Sequence, residues 1–140
     1  GLMGSYLIDT NVIIDAADPD SQWYVWSAAQ LISAANDGAV FINPIIYAEL
    51  AGYADSERQI ASILSDMLLQ RADLPWEAAF QAGRAFVAYR RAGGAKTAPM
   101  PDFYIGAHAL VSGLTLLTRD ARRYRSYFPE VRLIAPDSMP

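Results

Sequence analysis

The chain has 140 residues, of which 53% are hydrophobic and 19% are charged, so it is not a disordered protein and is long enough for one domain with a buried core. It contains no cysteine and one histidine, which excludes disulfides, thiolate metal sites and the usual zinc site, so that any metal must be bound by oxygen. The net charge of −4 is unevenly distributed, because residues 1–83 carry two basic and eleven acidic side chains, whereas residues 84–140 carry nine basic and four acidic ones.

The basic second half allows a polyanionic partner despite the acidic total charge. No apolar run is long enough to cross a membrane, and no basic segment followed by an apolar one opens the sequence, so we expect a cytoplasmic protein with no membrane partner. We expect residues 3–140 to form a single domain.

The first element is a short strand over residues 6–8, because this run is apolar and β-prone and is too short for a helix. Asp9 follows it directly, and we expect Asn11 to cap a short helix that continues through Ile14. An acid at the carboxyl end of a strand lies where open α/β sheets bind their ligands. Asp9 alone is equally well explained as a helix cap, so its function depends on partners elsewhere in the chain.

Helices and strands alternate along the rest of the sequence. Gly38 and Gly113 mark helix ends, Pro44 and Pro101 mark helix starts, and the glycine-rich segment 93–100 predicts a mobile loop. The other predicted helices span about residues 22–36, 76–91, 101–112 and 119–127, and two more follow Pro44 and Ser56. The other predicted strands span about residues 39–42, 114–117 and 131–134. The alternation predicts a three-layer α/β/α fold around a central, mostly parallel sheet.

Four acids occupy positions that solvation alone does not explain. Asp9 and Asp120 follow predicted strands, and Asp102 heads the apolar stripe of the helix that begins at Pro101, although the helix dipole and helix capping are alternatives for Asp102 and Asp120. Glu49 lies in mid-helix, where it shares a stripe with Ile45, Ile46, Gly52 and Tyr53.

We expect these four carboxylates to share one pocket, because strand ends and helix starts converge at the carboxyl edge of a parallel sheet. Four carboxylates in one pocket repel each other unless a multivalent cation lies among them. Ligands that are all oxygen suit Mg²⁺ or Mn²⁺.

The same acids lie in four short motifs, namely Leu-Ile-Asp-Thr-Asn at 7–11, Ala-Glu-Leu at 48–50, the segment 102–109 and Leu-Thr-Arg-Asp at 117–120. In this order and spacing the motifs resemble those of a PIN domain, and more narrowly those of a VapC-type toxin of a bacterial toxin–antitoxin pair. The resemblance implies a Mg²⁺- or Mn²⁺-dependent endoribonuclease that is inhibited by a small antitoxin protein. It also implies that Asp9, Glu49, Asp102 and Asp120 form the catalytic metal site, supported through hydrogen bonds by Asn11 and Thr118.

The basic half of the chain must attract the RNA, because an acidic site repels the phosphate backbone. The alternative for its arginine run is a solvated helix face, and His108, on a different helical face from Asp102, is not expected to be catalytic. The predicted RNA-binding side chains are Arg90, Lys96, Arg119, Arg122, Arg123 and Arg125.

Two other functions match part of the sequence pattern. A haloacid-dehalogenase-like phosphatase also begins with an Asp after its first strand, but it needs a second Asp two positions later, where Asn11 stands. A catalytically inactive PIN-like scaffold is the alternative from another functional class, and the presence of all four acids argues against it.

A run of bulky apolar residues at 23–26 cannot all face one core from a helix. We therefore expect part of this surface to be exposed, and large exposed apolar patches mark interaction sites. The sequence predicts a homodimer and a groove near residues 23–64 that takes an amphipathic antitoxin helix. The neighbouring apolar residues are Tyr47, Tyr53, Ile60, Ile63 and Leu64.

Overall fold

The computed structural model describes residues 4–97 and 100–136. The outermost residues of the predicted domain 3–140, and residues 98–99 of the predicted loop 93–100, lie outside the described part. The strands are β1 Gly4–Ile8, β2 Gly38–Ile42, β3 Leu69–Arg71, β4 Thr115–Leu117 and β5 Leu133–Ile134. The helices are α1 Thr10–Ala16, α2 Tyr24–Asp37, α3 Pro44–Tyr53, α4 Glu57–Asp66, α5 Trp76–Arg91, α6 Pro101–Ser112 and α7 Arg122–Tyr127.

The five strands form one sheet in the order β3-β2-β1-β4-β5, and every pair is parallel. Right-handed crossovers place α1–α4 on one face of such a sheet and α5–α7 on the other. In agreement, α1 contacts α2 and α3, and α3 contacts α4, whereas α6 contacts α5 and α7. The predicted three-layer α/β/α fold is therefore confirmed.

The strand order reverses between β1 and β4, which makes the carboxyl ends of these two strands the topological switch point where such sheets bind ligands. Both strands are central and covered on both faces, so their side chains form a nearly continuous apolar run. Leu7, Ile8, Leu116 and Leu117 are fully buried. The core thus holds β1 and β4 rigidly up to the residues that follow them.

Two glycines shape α6. Gly113 adopts a left-handed conformation with φ of 65° and ends the helix, as the sequence predicted. A Cβ atom at Gly106 would lie 2.4 Å from a ring carbon of Phe128, so the glycine lets this ring pack directly against the helix. The packing holds the segment after α7 close to α6.

The structure corrects several predicted boundaries. Asp9 and not Asn11 is the N-cap of α1, since the carboxylate of Asp9 accepts from the Thr10 amide and the helix begins at Thr10. Helix α7 begins at Arg122 instead of residue 119, and the backbone amides of Arg119 and Asp120 before it donate to the side chains of Asn11 and Thr118.

The edge strand β3 was not predicted. Only Leu69 of its three residues is buried, so it lacks an apolar run and is defined by its pairing with β2. The stripe predicted on α3 was also partly wrong, because Gly52 and Tyr53 are exposed and the buried face is formed by Ile46 and Leu50.

Within the described ranges, no helix combines the length and the apolar character needed to cross a membrane.

Candidate active site

Asp9 lies at the switch point, where its backbone amide extends the β1–β4 ladder by donating to the Leu117 carbonyl at 2.9 Å. Its side chain is only 5% exposed. Oδ1 accepts from the Thr10 amide at 2.8 Å, while Oδ2 accepts from the Thr118 hydroxyl at 2.8 Å and lies 2.9 Å from the Tyr124 hydroxyl. The Asn11 amide lies 3.4 Å from the same Oδ2 atom. Asp9 is therefore a buried acid surrounded by hydrogen-bond donors.

Burial, and to a smaller extent the nearby carboxylate of Asp102, raise the pKa of Asp9, which lies at about 6. The hydrogen bonds from Thr118, Tyr124 and Thr10 act in the opposite direction, because they stabilise the ionised form. These hydrogen bonds lower the pKa of Asp9 by less than burial and Asp102 raise it. A cation near Asp9 would thus favour its ionised form.

Asp102, in the first turn of α6, is linked to Asp9 through one hydroxyl group. The Tyr124 hydroxyl lies 3.3 Å from Asp102 Oδ1 and 2.9 Å from Asp9 Oδ2, so its single proton is available to either carboxylate. Tyr124 is 1% exposed, and burial together with the two carboxylates raises its pKa well above the ordinary value, which keeps it protonated. Asp102 Oδ2 also forms an ion pair with Arg123 Nη1 at 3.1 Å.

Thr118 ties the loop after β4 to the same site. Its hydroxyl donates to Asp9 and accepts from the Asp120 amide at 3.1 Å. Asn11 Oδ1 accepts from the Arg119 amide at 3.0 Å, which joins this loop to the start of α1. The carboxylate of Asp120 is exposed and accepts from the Arg122 amide at 3.3 Å.

Glu49 reaches the site from α3, on the other side of Asp9. Its Oε1 accepts from the Thr10 hydroxyl at 2.7 Å, and its side chain is partly exposed. The start of α3 is fixed by Asn43, whose Oδ1 accepts from the Ile46 amide at 2.9 Å and whose Nδ2 donates to Nδ1 of His108 at 3.0 Å. Burial lowers the pKa of His108, so the neutral ring is the favoured acceptor for this bond.

Asp102 and Asp120 line one cavity of about 410 Å³. Glu49 lines another, of about 320 Å³, together with Pro101 and Tyr104. The first cavity also contains cationic and aromatic groups, namely Arg122, Arg123, Tyr89 and Tyr127. Two of the four predicted acids therefore share a cavity, and Asp9 joins them through Tyr124 and Thr118.

The side chains do not form a ready metal centre as they stand. In the part of the chain that the structure describes, no three acidic or histidine side chains are grouped so that they could hold an ion together. Three of the acids are linked through neighbouring residues instead: Thr10 bonds both Asp9 and Glu49, and the Tyr124 hydroxyl lies between Asp9 and Asp102. Asp120 is linked through its backbone amide, which donates to the Thr118 hydroxyl. The donor atoms of the four acids are all oxygen, which is the chemistry that Mg²⁺ and Mn²⁺ prefer.

The basic residues predicted to bind RNA have different surroundings. Arg119 forms an ion pair with the buried Asp15 at 2.6 Å and lies over the ring of Trp23, at 5.9 Å from its centroid. Arg90 donates to the backbone carbonyl of Lys96. Arg122 and Arg123 line the larger cavity. Arg119 thus acts within the fold as a link between the loop after β4 and α1.

Sequence reasoning missed Tyr124 and the pair formed by Asp15 and Arg119. Tyr124 is one aromatic residue within a run of arginines, and such a run is typical of a solvated or RNA-binding face. Asp15 lies one turn after Asn11 on α1, and this spacing was the available signal that its side chain is near the site.

Comparisons with known proteins agree with this architecture. A family model described as "PIN domain" matches residues 6–129. The chain is similar to a solved structure of VapBC2 from Rickettsia felis bound to a promoter DNA fragment, with 22% identity, a TM-score of 0.69, and coverage of 94% of this chain and 98% of that one. The chain is also similar to DNA-bound VapBC from Salmonella typhimurium, with 24% identity and a TM-score of 0.67. The match covers 95% of this chain and 98% of that one.

A third similar structure is FitAcB from Neisseria gonorrhoeae, with 25% identity, a TM-score of 0.67, and coverage of 96% of this chain and 99% of that one. No curated protein sequence matches the chain. The structural similarity extends over almost the whole length of each chain compared.

Proposed function

The chain belongs to the PIN domain family, and from this premise we propose that it is a divalent-metal-dependent endoribonuclease that acts as the VapC-type toxin of a toxin–antitoxin pair. The observation that carries the proposal is the buried carboxylate of Asp9 at the switch point, joined to Asp102 by the hydroxyl of Tyr124. Asp102 and Asp120 line a cavity together with Arg122 and Arg123, and this mixture of charges suits a reaction on a phosphodiester better than one on an uncharged substrate.

Asp9, Asp102 and Asp120 would hold Mg²⁺ or Mn²⁺, with Glu49 beside them. When bound, such an ion lowers the pKa of a coordinated water and polarises the scissile phosphate. Thr118 and Tyr124 keep the carboxylate of Asp9 in one orientation through their hydroxyl groups. Glu49, held by Thr10, is available to accept the proton of the attacking water.

The positive charge for the substrate comes from the rim of the site. Arg122 lines the cavity, and its guanidinium makes no hydrogen bond or ion pair with any other residue in the described ranges. Arg123 is paired with Asp102 across a partly exposed contact, which is weak in water. Both arginines are therefore available to the phosphate backbone.

We further propose that the partner is a small antitoxin protein and that the chain forms a homodimer in the cytoplasm. A structure from Klebsiella pneumoniae that is similar to this chain is described as a toxin–antitoxin complex. Exposed apolar side chains on α2 and after α4, among them Val25, Ile32 and Leu68, offer a docking surface for such a partner.

The test is cleavage of a single-stranded RNA with Mg²⁺, with Mn²⁺ and with a chelator. We expect cleavage only with metal, and we expect Asp102→Asn to lower the rate by about 100-fold or more while the circular dichroism spectrum stays unchanged. Asp20→Asn is the matched control, because Asp20 is an exposed loop acid outside the site. Equal cleavage by Asp102→Asn and Asp20→Asn, or full activity with the chelator, would refute the proposal.

One observation favours a second candidate, a catalytically inactive PIN-like binding domain. No three carboxylates in the described ranges are already grouped around a common point. The two candidates differ in metal binding, since a scaffold has no need of it. An increase in melting temperature with Mn²⁺ that is lost in Asp102→Asn supports the nuclease, whereas identical melting curves with and without Mn²⁺ support the scaffold.

A further inference from the structure

Arg71 lies in the same row of the sheet as the residue that precedes Asp9. Leu7 of β1 pairs with Phe41 of β2, and Ile42 of β2 pairs with Arg71 of β3, so Ile8, Ile42 and Arg71 are level with one another. Two inter-strand spacings, about 10 Å, separate the backbones of β1 and β3. Arg71 is therefore at the carboxyl edge that holds the candidate active site, on the side away from the arginines of α7.

The guanidinium of Arg71 is held in place by an aromatic ring. Its Cζ atom lies 4.9 Å from the ring centroid of Tyr47 on α3, a distance typical of a cation–π contact. Across residues 4–97 and 100–136 the Arg71 side chain makes no hydrogen bond or ion pair. The ring fixes the position of the charge and leaves its five N–H donors available to a ligand.

The same two residues line a cavity of about 280 Å³ at the end of β2 and β3. Asn43, which also lines it, already uses its side-chain oxygen for the Ile46 amide and its nitrogen for His108. Two charged residues line this cavity, Arg71 and Asp73. Residues 1–83 contain one other basic side chain, Arg58, so Arg71 is an isolated positive charge in the acidic half.

We propose that Arg71, positioned by Tyr47, binds a phosphate group of single-stranded RNA outside the scissile bond. The inference rests on the proposed function, because it takes RNA to be the substrate. An arginine that lies over an aromatic ring with free donors suits a phosphate oxygen, and such contacts position a strand without reading its bases. The RNA then extends along the carboxyl edge of the sheet, from the acids at β1 and β4 toward β3.

The experiment measures binding of a labelled single-stranded RNA of about ten nucleotides by fluorescence anisotropy, in chelator and over a series of salt concentrations. We expect Arg71→Ala to weaken binding several-fold and to reduce the slope of log K against log salt by about 0.7, the value for one phosphate contact on a single strand. Arg71→Lys keeps the charge and is expected to keep most of the slope. Asp73→Asn removes the opposing charge and is expected to strengthen binding.

Arg58→Ala is the matched control, since Arg58 is an exposed arginine of the same acidic half on α4. The inference is overturned when Arg71→Ala and Arg58→Ala bind RNA equally well, whether both match the unmodified chain or both are weaker by the same factor. Cleavage of the same RNA by the unmodified chain with Mn²⁺ reports separately on the proposed function. A chain that neither cleaves nor binds RNA would refute both.

Discussion

At the scale of single residues, Asp9 is an acid whose surroundings act on its ionisation in opposite directions. Burial and the Asp102 carboxylate oppose its ionisation, whereas Thr118, Tyr124 and Thr10 favour it by donating hydrogen bonds. Because the opposing effects are larger, the ionised form of Asp9 is costly in the protein without metal. In the proposed function, a bound cation would offset this cost.

This arrangement makes the stability of the metal-free protein depend on pH. The pKa of Asp9 is about 6 in the folded state and 3.8 for the ordinary group, so the folded protein binds more protons than the unfolded chain between these values. The free energy of unfolding contributed by Asp9 therefore falls by about 3 kcal/mol as the pH rises from about 4 to about 6, and it stays low above that.

The prediction is tested with Asp9→Asn, which cannot ionise. In chelator, urea unfolding from pH 4 to pH 8 should show the variant gaining stability relative to the unmodified chain as the pH rises through this window. Asp20→Asn, an exposed loop substitution, should show no such trend. A difference between Asp9→Asn and the unmodified chain that is constant or shrinks with rising pH would contradict the raised pKa.

At the scale of secondary-structure elements, the end of α4 stores backbone strain. Leu68 has a φ of 60°, the left-handed region that leucine rarely adopts, and its side chain is 67% exposed. It lines an apolar cavity of about 170 Å³ with Ile32 and Leu31 of α2 and Met67. An exposed apolar side chain in a strained conformation indicates a contact with another molecule.

Leu68→Gly is expected to raise the free energy of unfolding by about 0.5–1 kcal/mol. Glycine adopts the left-handed conformation without a steric penalty, and we expect this gain to exceed the cost of its greater loss of chain entropy on folding. Because Leu68 is exposed, removing its side chain costs little buried apolar surface. Chemical denaturation measures the change. Leu68→Ala is the matched control, because it removes the same apolar surface but keeps the strained backbone, so its stability should not increase. Equal effects of the two substitutions would rule out strain at this position.

At the scale of the whole molecule, the exposed apolar surface has two parts. Trp76, Phe80 and Val87 are 92%, 63% and 40% exposed and lie along one side of α5. The other part is formed by Val25 and Ile32 on α2 and by Leu68 after α4, and its α2 residues lie within the segment 23–64 for which the sequence predicts a docking groove. In that segment Trp23 and Trp26 are half-buried and pack edge to face with their ring centroids 6.2 Å apart, whereas Val25 is exposed.

We expect the surface on α5 to mediate the proposed homodimer. Phe80→Glu places a charge in the middle of this apolar surface and should raise the dissociation constant of the dimer at least about tenfold, as observed for buried aromatic anchors of interfaces. Light scattering over a range of micromolar concentrations gives the mass. Val25→Glu, on the other surface, is the control and should leave the dimer intact. A monomer at every concentration, or dissociation by Val25→Glu alone, would contradict the assignment.

The sequence by itself determined the features that local patterns encode. These features depend on a few neighbouring residues: the apolar runs that end at Asp9 and Thr118, the helix starts at Pro44 and Pro101, and the helix end at Gly113. The alternation of strands and helices along the chain predicts a parallel sheet. Because the carboxyl ends of parallel strands meet at one edge, the region of the site followed from the same pattern.

The tertiary structure alone decided which side chains meet at that edge. Tyr124 and Asp9 are 115 residues apart, and Arg119 and Asp15 are 104 apart, so no local pattern relates them. Strand β3 exists because β2 offers unpaired backbone groups to a segment with one buried residue, which makes the pairing a long-range property. Hydrogen bonds and burial at this site arise from contacts between distant segments, and sequence patterns record only contacts between near ones.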